Sequence, residues 1–80
     1  MTDADILARL TPVFQDVFDD DDLQPHATMT AGDVSEWDSL SHIRLIISIE
    51  KAFGVKFNAA EVGGLANVGD MISLIQKKLA

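Results

Sequence analysis

The sequence predicts an all-α protein, a small four-helix bundle with three main helices, one short helix and a long first loop. Apolar residues recur at spacings of three and four along several segments, which is typical of helices with one buried face. Capping residues precede those segments. The 80 residues include no cysteine, so the fold depends on its apolar core alone. We expect one domain over residues 1–80.

The first helix is predicted over about residues 3–18, where the apolar residues share one face. Thr2 followed by Asp5 resembles a capping box with Asp in place of Glu. Pro12 either kinks this helix or begins a second helix that Thr11 caps. Because the apolar face continues past the proline, we predict one kinked helix.

A loop follows, over residues 19–38. The four consecutive aspartates at 19–22 end the helical periodicity, since dense like charge disfavours a helix. Scattered apolar residues, Leu23, Met29 and Val34, indicate that the loop packs back onto the core. The aspartates lack the spacing, the glycine and the glutamate of a calcium-binding EF-hand loop. We therefore expect a solvated acidic turn and no metal site.

The second helix is predicted to begin at Ser39, with Asp38 as its N-cap, and to end near Phe53, before a C-cap at Gly54. This helix has a broad apolar face, and the sequence does not separate its buried isoleucines from exposed ones. The residues that we assign to this face are Leu40, Ile43, Ile46, Ile47, Ile49 and Phe53.

A short extended segment at 55–57 is expected to anchor to the core. Asn58 with Glu61 forms the pattern of a second capping box, which predicts a short helix ending at the glycines 63–64.

The last helix is predicted from a third capping pattern, Asn67 with Asp70. Lys77 and Lys78 then fall in its final turn, where the helix dipole favours cations.

The charge of the chain excludes several classes of function. The chain has 13 acidic and 6 basic residues and a net charge of −7, which disfavours nucleic acid and anionic membrane surfaces. No apolar run is long enough to insert into a membrane, and the acidic start does not resemble a signal peptide. We expect a cytoplasmic monomer. Residues 1–38 carry a net charge of −9, and residues 39–80 carry +2.

Ser39 is the candidate functional residue. As the first residue of the second helix, it places a hydroxyl group at the positive end of the helix, which favours a phosphate ester. The dipeptide Asp-Ser at a helix start is also ordinary capping chemistry, and such a short motif alone has little specificity.

The order of features along the chain adds the specificity that this short motif lacks. The sequence Asp38-Ser39-Leu40, the long acidic loop before it and the short helix after Phe57 together resemble the acyl carrier protein family, over nearly the whole chain. The segment 49–55 is similar to the family segment that ends in Phe-Gly-Val or Phe-Gly-Ile. The resemblance implies that Ser39 receives 4'-phosphopantetheine from coenzyme A, within a motif that includes Asp38 and Leu40. It also implies a carrier of acyl thioesters and not an enzyme.

The resemblance implies three kinds of partner: a phosphopantetheinyl transferase, an acyl-loading ligase or acyltransferase, and downstream acyl-processing enzymes. We expect these enzymes to dock on an exposed edge of the second helix. That edge comprises Leu40, Ile43, Arg44 and Ile47. Family members that serve fatty-acid synthesis are typically acidic on this helix, whereas residues 39–53 here carry a net charge of +1. This difference predicts a dedicated carrier for a specialised fatty-acid, polyketide or related pathway.

Alternative interpretations are an aminoacyl or D-alanyl carrier, and a helical interaction module without a prosthetic group. A third alternative is a small hydrolase that uses Ser39 and His42. We expect instead that His42 is a solvated docking residue and that Trp37 packs the loop onto the core. Whether the core admits an acyl chain is left open by the sequence.

Overall fold

The computed structural model describes residues 2–34 and 36–79, and within these it contains four α-helices, a short 3-10 helix and no strand. The helices are α1 (Asp3–Val17), the 3-10 helix (Ala31–Asp33), α2 (Ser39–Phe53), α3 (Ala59–Gly63) and α4 (Val68–Leu79). The predicted bundle of three main helices and one short helix is confirmed. No helix in the described ranges has both the length and the hydropathy that crossing a membrane requires.

The core forms where α1 packs against both α2 and α4. Each of these helices supplies an apolar face, and the long loop adds Met29 and Trp37, which are 3% and 8% exposed. The prediction that the loop packs onto the core is therefore confirmed. The largest fully buried side chains are Ile6, Leu10, Phe14, Leu45, Ile49, Val68, Met71 and Ile75.

α1 begins at a reciprocal capping box. The Asp5 amide donates to the Thr2 hydroxyl at 3.1 Å, and the Thr2 amide donates to the Asp5 carboxylate at 3.2 Å. The helix continues past Pro12 to Val17, so the prediction of one helix across the proline, and not two, is confirmed, while the kink stays a prediction. The Thr11 hydroxyl donates to the Leu7 carbonyl at 2.9 Å just before the proline.

The long loop contains more regular structure than predicted. The Thr30 amide donates to the Asp33 carboxylate at 3.0 Å, and this bond begins the 3-10 helix that the sequence analysis treated as loop. The capping pattern Thr30–Asp33 was present in the sequence, but the turn that follows is too short to produce a helical period.

Two loop carbonyls also cap α4. The Val68 amide donates to the Met29 carbonyl at 2.9 Å, and the Gly69 amide donates to the Ala27 carbonyl at 2.8 Å. These bonds satisfy amides that have no acceptor within the helix. A Cβ atom at Gly69 would lie 3.0 Å from the Ala27 carbonyl oxygen, so the close approach of the loop favours glycine here.

The capping box of α3 is confirmed. The Asn58 amide donates to Glu61 at 2.9 Å, and the Glu61 amide donates to Asn58 at 2.8 Å. The hydrogen bond from the Asn58 amide, followed by the Lys78 ammonium group at 2.9 Å, lowers the pKa of the Glu61 carboxyl.

At α4 the predicted capping box is only half correct. The Asp70 amide donates to the Asn67 side chain at 2.8 Å, as predicted. The Asp70 carboxylate accepts from the amide of Ala66, at 3.0 Å, one residue farther back than the box requires. Lys77 and Lys78 lie in the last turn of α4, as predicted.

Candidate functional site

Both ends of α2 are formed by the residues that the sequence predicts. Asp38 is the N-cap, with extended backbone, and its carboxylate accepts from the Ser41 amide at 2.9 Å. This hydrogen bond is the main cause of the lowered pKa of the Asp38 carboxyl. Gly54 ends the helix with φ 67°, in the left-handed region that glycine adopts without strain. The start of α2 is therefore preorganised by local contacts.

Ser39 is the first residue of α2, and its side chain is exposed to solvent. The amides of the first helical turn and the helix dipole make this end of α2 favourable for an anion. The hydroxyl group thus lies in solvent, at a helix end that favours an anion. Asp38 and Leu40 on either side are also exposed.

The structure shows which apolar residues of α2 are exposed and which are buried, a distinction that the sequence did not give. Leu40, Ile43 and Ile47 are 70%, 55% and 46% exposed. Arg44 is also exposed, and these four side chains recur at spacings of three and four along one face. The buried apolar residues of the helix are Leu45, Ile46, Ile49 and Phe53. The exposed apolar face begins one residue after Ser39.

A groove of about 400 Å³ lies beside Ser39, between α2 and α3. Its lining includes Trp37 from the loop, His42 from α2, and Val62 and Leu65 from α3 and the turn after it. The sequence pattern does not place Val62 and Leu65 near Ser39. Their spacing of three indicates a short apolar face, but it does not show which element that face packs against.

His42 is not the solvated residue that the sequence analysis expected. Its side chain is half-buried, and the Trp37 indole N–H donates to its Nδ1 at 3.1 Å. Its Nε2 lies 3.3 Å from the Val62 carbonyl oxygen. The expectation was wrong because the partners of His42 come from a loop and from a later helix, and sequence spacing shows neither.

Trp37 packs as predicted. Its ring meets the ring of Phe14 edge to face, with centroids 5.6 Å apart, and lies 5.9 Å from the ring of Phe18. This cluster fixes the end of the loop against α1, immediately before the cap of α2.

The contacts of His42 also argue against the hydrolase alternative. Both ring nitrogens are engaged by Trp37 and Val62, so neither is directed to the Ser39 hydroxyl as a general base. The site presents a hydroxyl group, and it does not present a catalytic pair.

The four aspartates at 19–22 form an exposed turn, as predicted. The Asp22 amide donates to the Asp20 carboxylate at 3.0 Å, which is local turn chemistry. In the part of the chain that the structure describes, no three potential ligands come together as a metal site would require.

The fold and the exposed serine at the start of α2 together define a small helical carrier-type domain, and comparisons with known proteins agree. No protein-family model matches the chain. The holo acyl carrier protein of Geobacter metallireducens, solved by solution NMR, superposes with a TM-score of 0.86. The two chains are 46% identical, and the match covers 91% of this chain and 84% of that one.

Curated relatives give the same family. The meromycolate extension acyl carrier protein of Mycolicibacterium smegmatis is 30% identical over 78 residues, which cover 95% of this chain and 77% of that one. The acyl carrier protein of Thermotoga maritima is 43% identical over 42 residues, 52% of each chain. This chain belongs to the acyl carrier protein family. Members of this family are carriers and not enzymes.

Proposed function

We propose that Ser39 carries a 4'-phosphopantetheine arm, transferred from coenzyme A as a phosphodiester, and that the protein holds acyl intermediates as thioesters on the thiol of that arm. The observation that carries the proposal is the position of Ser39: an exposed hydroxyl on the first residue of α2, behind the cap residue Asp38. Membership of the acyl carrier protein family and the holo state named for the Geobacter relative support it.

The composition of the chain is consistent with an imported thiol. The sequence contains no cysteine, so thioester chemistry requires a thiol from elsewhere. A thiol with a pKa of about 8.5 forms thioesters that remain reactive to nucleophiles. A short flexible arm raises the concentration of the acyl group at a docked enzyme to roughly the millimolar range. The domain needs only to present the arm and a docking surface.

In this proposal the whole of residues 1–80 acts as one carrier domain, and Asp38, Ser39 and Leu40 form the motif that a phosphopantetheinyl transferase recognises. Asp38 holds the start of α2 through the Ser41 amide, so the serine is offered in a fixed backbone geometry.

The docking edge in this proposal is the exposed face of α2: Leu40, Ile43, Arg44 and Ile47. Its charge is distinctive. Glu50, the only acidic residue of α2, is half-buried and accepts from the Phe57 amide at 2.8 Å, whereas Arg44 and Lys51 are exposed. The charges that α2 offers to a partner are therefore cationic. Because like charges disfavour wrong partners, we infer loading and processing enzymes with acidic docking surfaces, in a specialised fatty-acid, polyketide or related pathway.

Intact-mass measurement tests the attachment. The protein is incubated with coenzyme A, Mg²⁺ and a broad-specificity phosphopantetheinyl transferase, beside Ser39→Ala and a control, Ser73→Ala, which changes an exposed serine on α4. We expect a gain of one phosphopantetheine in the wild type and in the control but not in Ser39→Ala. A gain in Ser39→Ala would contradict the proposal, and so would no gain in a folded wild type with its cognate transferase.

A transfer assay tests the pathway. The holo protein is offered to a general fatty-acid ketosynthase or acyltransferase in competition with that enzyme's own carrier. We expect poor acceptance and partial recovery in Arg44→Glu, which restores acidic charge to α2. Lys56→Glu is the control, because it changes an exposed lysine outside α2 by the same charge. Acceptance of the wild type as efficient as that of the enzyme's own carrier would refute the specialised pathway.

A further inference from the structure

A second hollow lies between α1 and α4, separate from the start of α2. Its volume is about 420 Å³, and its lining comes from both helices and from the loop. α2 supplies none of this lining, and the hollow shares no residue with the groove beside Ser39. A molecule bound in this α1–α4 trough therefore does not occupy the docking edge of α2. Residues that line the trough include Ala4 and Leu7 of α1, Ala27 of the loop, and Gly69, Ile72 and Ser73 of α4.

The floor of the trough is apolar, and its walls are made of small residues. Ile72 is buried beneath the trough, whereas Leu7 is half-buried and still meets water. Ala4, Gly69 and Ser73 have short side chains or none, so the protein leaves the space above the floor unfilled. Covering this floor would remove apolar surface from water, which favours binding.

The rim of the trough is acidic. Asp3 and Asp70 belong to its lining, and none of the lining residues is basic. The ion pair in the described ranges joins Lys78 to Glu61, so neither Asp3 nor Asp70 is paired with a lysine or arginine there. The net charge of −9 over residues 1–38 adds to the negative potential on this side of α1. The trough therefore favours a cation with an apolar body.

The two carboxylates lie toward opposite ends of the trough. Asp3 is in the first turn of α1 and accepts a hydrogen bond from the Gln76 side chain. Gln76 follows Asp70 by six residues, which is about 9 Å along the axis of α4. Asp70 accepts from the Ala66 amide at 3.0 Å. A carboxylate has about four acceptor sites, so each retains sites for a second donor.

We propose that the α1–α4 trough docks an extended basic segment of a partner protein, in which two arginines flank an apolar residue in the pattern Arg-x-Leu-x-Arg. In an extended segment the residues i, i+2 and i+4 lie on one face and span about 13 Å. The leucine then covers the apolar floor, and the two arginines reach inward to Asp3 and Asp70. A guanidinium group forms paired hydrogen bonds with a carboxylate, and its aliphatic stem packs on apolar surface.

The shape of the trough favours a protein segment over a free small molecule. Small-molecule sites enclose most of the ligand surface, whereas Ala4, Ala27 and Ser73 on these walls are themselves exposed. A segment that belongs to a larger partner gains further contacts outside the trough. Such a partner holds the carrier while α2 remains free for the enzymes that act on the arm. This use rests on the proposed function, but the binding does not.

NMR titration of the ¹⁵N-labelled, unmodified protein tests the docking. The probe is the peptide acetyl-Thr-Arg-Thr-Leu-Thr-Arg-Thr-amide, and its control has citrulline, which is neutral and of similar shape, in place of both arginines. We expect the amides of Leu7, Gly69 and Ser73 to shift and those of Ile43 and Ile47 to stay unchanged. The control should bind about fivefold more weakly, since two exposed ion pairs are lost. Equal affinity of the two peptides, or shifts confined to the aspartates at 19–22, would overturn the proposal.

Matched variants test the location. Ala4→Leu fills the trough, whereas Ala8→Leu changes an exposed alanine one turn farther along α1 that does not line it. We expect Ala4→Leu to weaken peptide binding about tenfold or more and Ala8→Leu to bind as the wild type does. Equal affinity of the two variants would refute the location.

A second pair of variants tests the acidic rim. Asp3→Asn removes the charge and keeps an oxygen that accepts from Gln76, and its control Asp16→Asn makes the same charge change on α1 outside the trough. Asp3→Asn should weaken binding by about two- to fivefold more than the control does. An equal effect of the two variants would reduce the attraction to net charge and overturn the proposal. Because every measurement uses the protein without its arm, failure here is distinct from failure of the proposed function.

Discussion

Ile47 and Ile49 lie two residues apart on α2 and differ sharply in burial. The side chain of Ile49 has no exposed surface, and that of Ile47 is 46% exposed. Positions two apart on a helix are separated by about 200° around its axis, so one faces the core and the other faces solvent. The two residues are a matched pair, with the same chemistry in the same helix.

Replacing either by alanine removes the same atoms, but the expected costs differ. Deleting three buried carbons costs about 2.4 kcal/mol at ~0.8 kcal/mol each. The cavity left behind raises the cost of Ile49→Ala within the range of about 2–5 kcal/mol. Ile47 loses about half as much buried surface and leaves no enclosed cavity, so Ile47→Ala should cost about 1 kcal/mol.

Urea unfolding followed by fluorescence measures both costs. Trp37 is the only tryptophan and is packed against Phe14 in the core, so its emission reports loss of the tertiary structure. A domain of this size has a free energy of unfolding of about 4–12 kcal/mol, and Ile49→Ala removes a large share of it. If Ile47→Ala lowered the free energy of unfolding as much as Ile49→Ala, the assignment of a free docking face to α2 would be refuted.

Two further predictions concern stability. Gly69→Ala should lower the melting temperature, because the new Cβ would lie 3.0 Å from the Ala27 carbonyl oxygen. The control Gly63→Ala should leave the melting temperature unchanged, because a Cβ there has no atom within 4 Å. Thermal unfolding followed by circular dichroism compares the two variants, and equal melting temperatures would refute the close approach of the loop at Gly69. The Ser41 amide lowers the pKa of the Asp38 carboxyl below 3.8, so this carboxylate stabilises the fold above that pH and its contribution is lost as the pH falls through the lowered pKa. Asp38→Asn should therefore flatten the dependence of the unfolding free energy on pH below about 4. Acid titration of the wild type and the variant measures this dependence. An unchanged slope would refute the stabilising role of the Asp38 carboxylate as the N-cap.

The local features of this fold could be predicted from the sequence. Helix starts at Thr2, Asp38 and Asn58 depend on contacts within three residues, and the glycine end of α2 depends on a contact within four. Spacing alone therefore located them. The position of Ser39 as the first residue of α2 belongs to the same class of local prediction.

Tertiary contacts could not be predicted in this way. The burial of His42 depends on Trp37, which the loop delivers, and on Val62, twenty residues farther along the chain. The loop carbonyls that cap Val68 and Gly69 at the start of α4 are even farther from them in sequence. The apolar residues of α2 are too numerous for periodicity to separate Ile46, which is buried, from its exposed neighbours.

The decisive measurement is to locate the modified residue in the holo protein. After incubation with coenzyme A and the transferase, trypsin releases a peptide spanning residues 10–44, which contains serines at 35, 39 and 41. Fragmentation by tandem mass spectrometry distinguishes the three. We expect one phosphopantetheine, on Ser39 alone. Modification at Ser35 or Ser41, or an unmodified peptide from a folded protein treated with its cognate transferase, would contradict it.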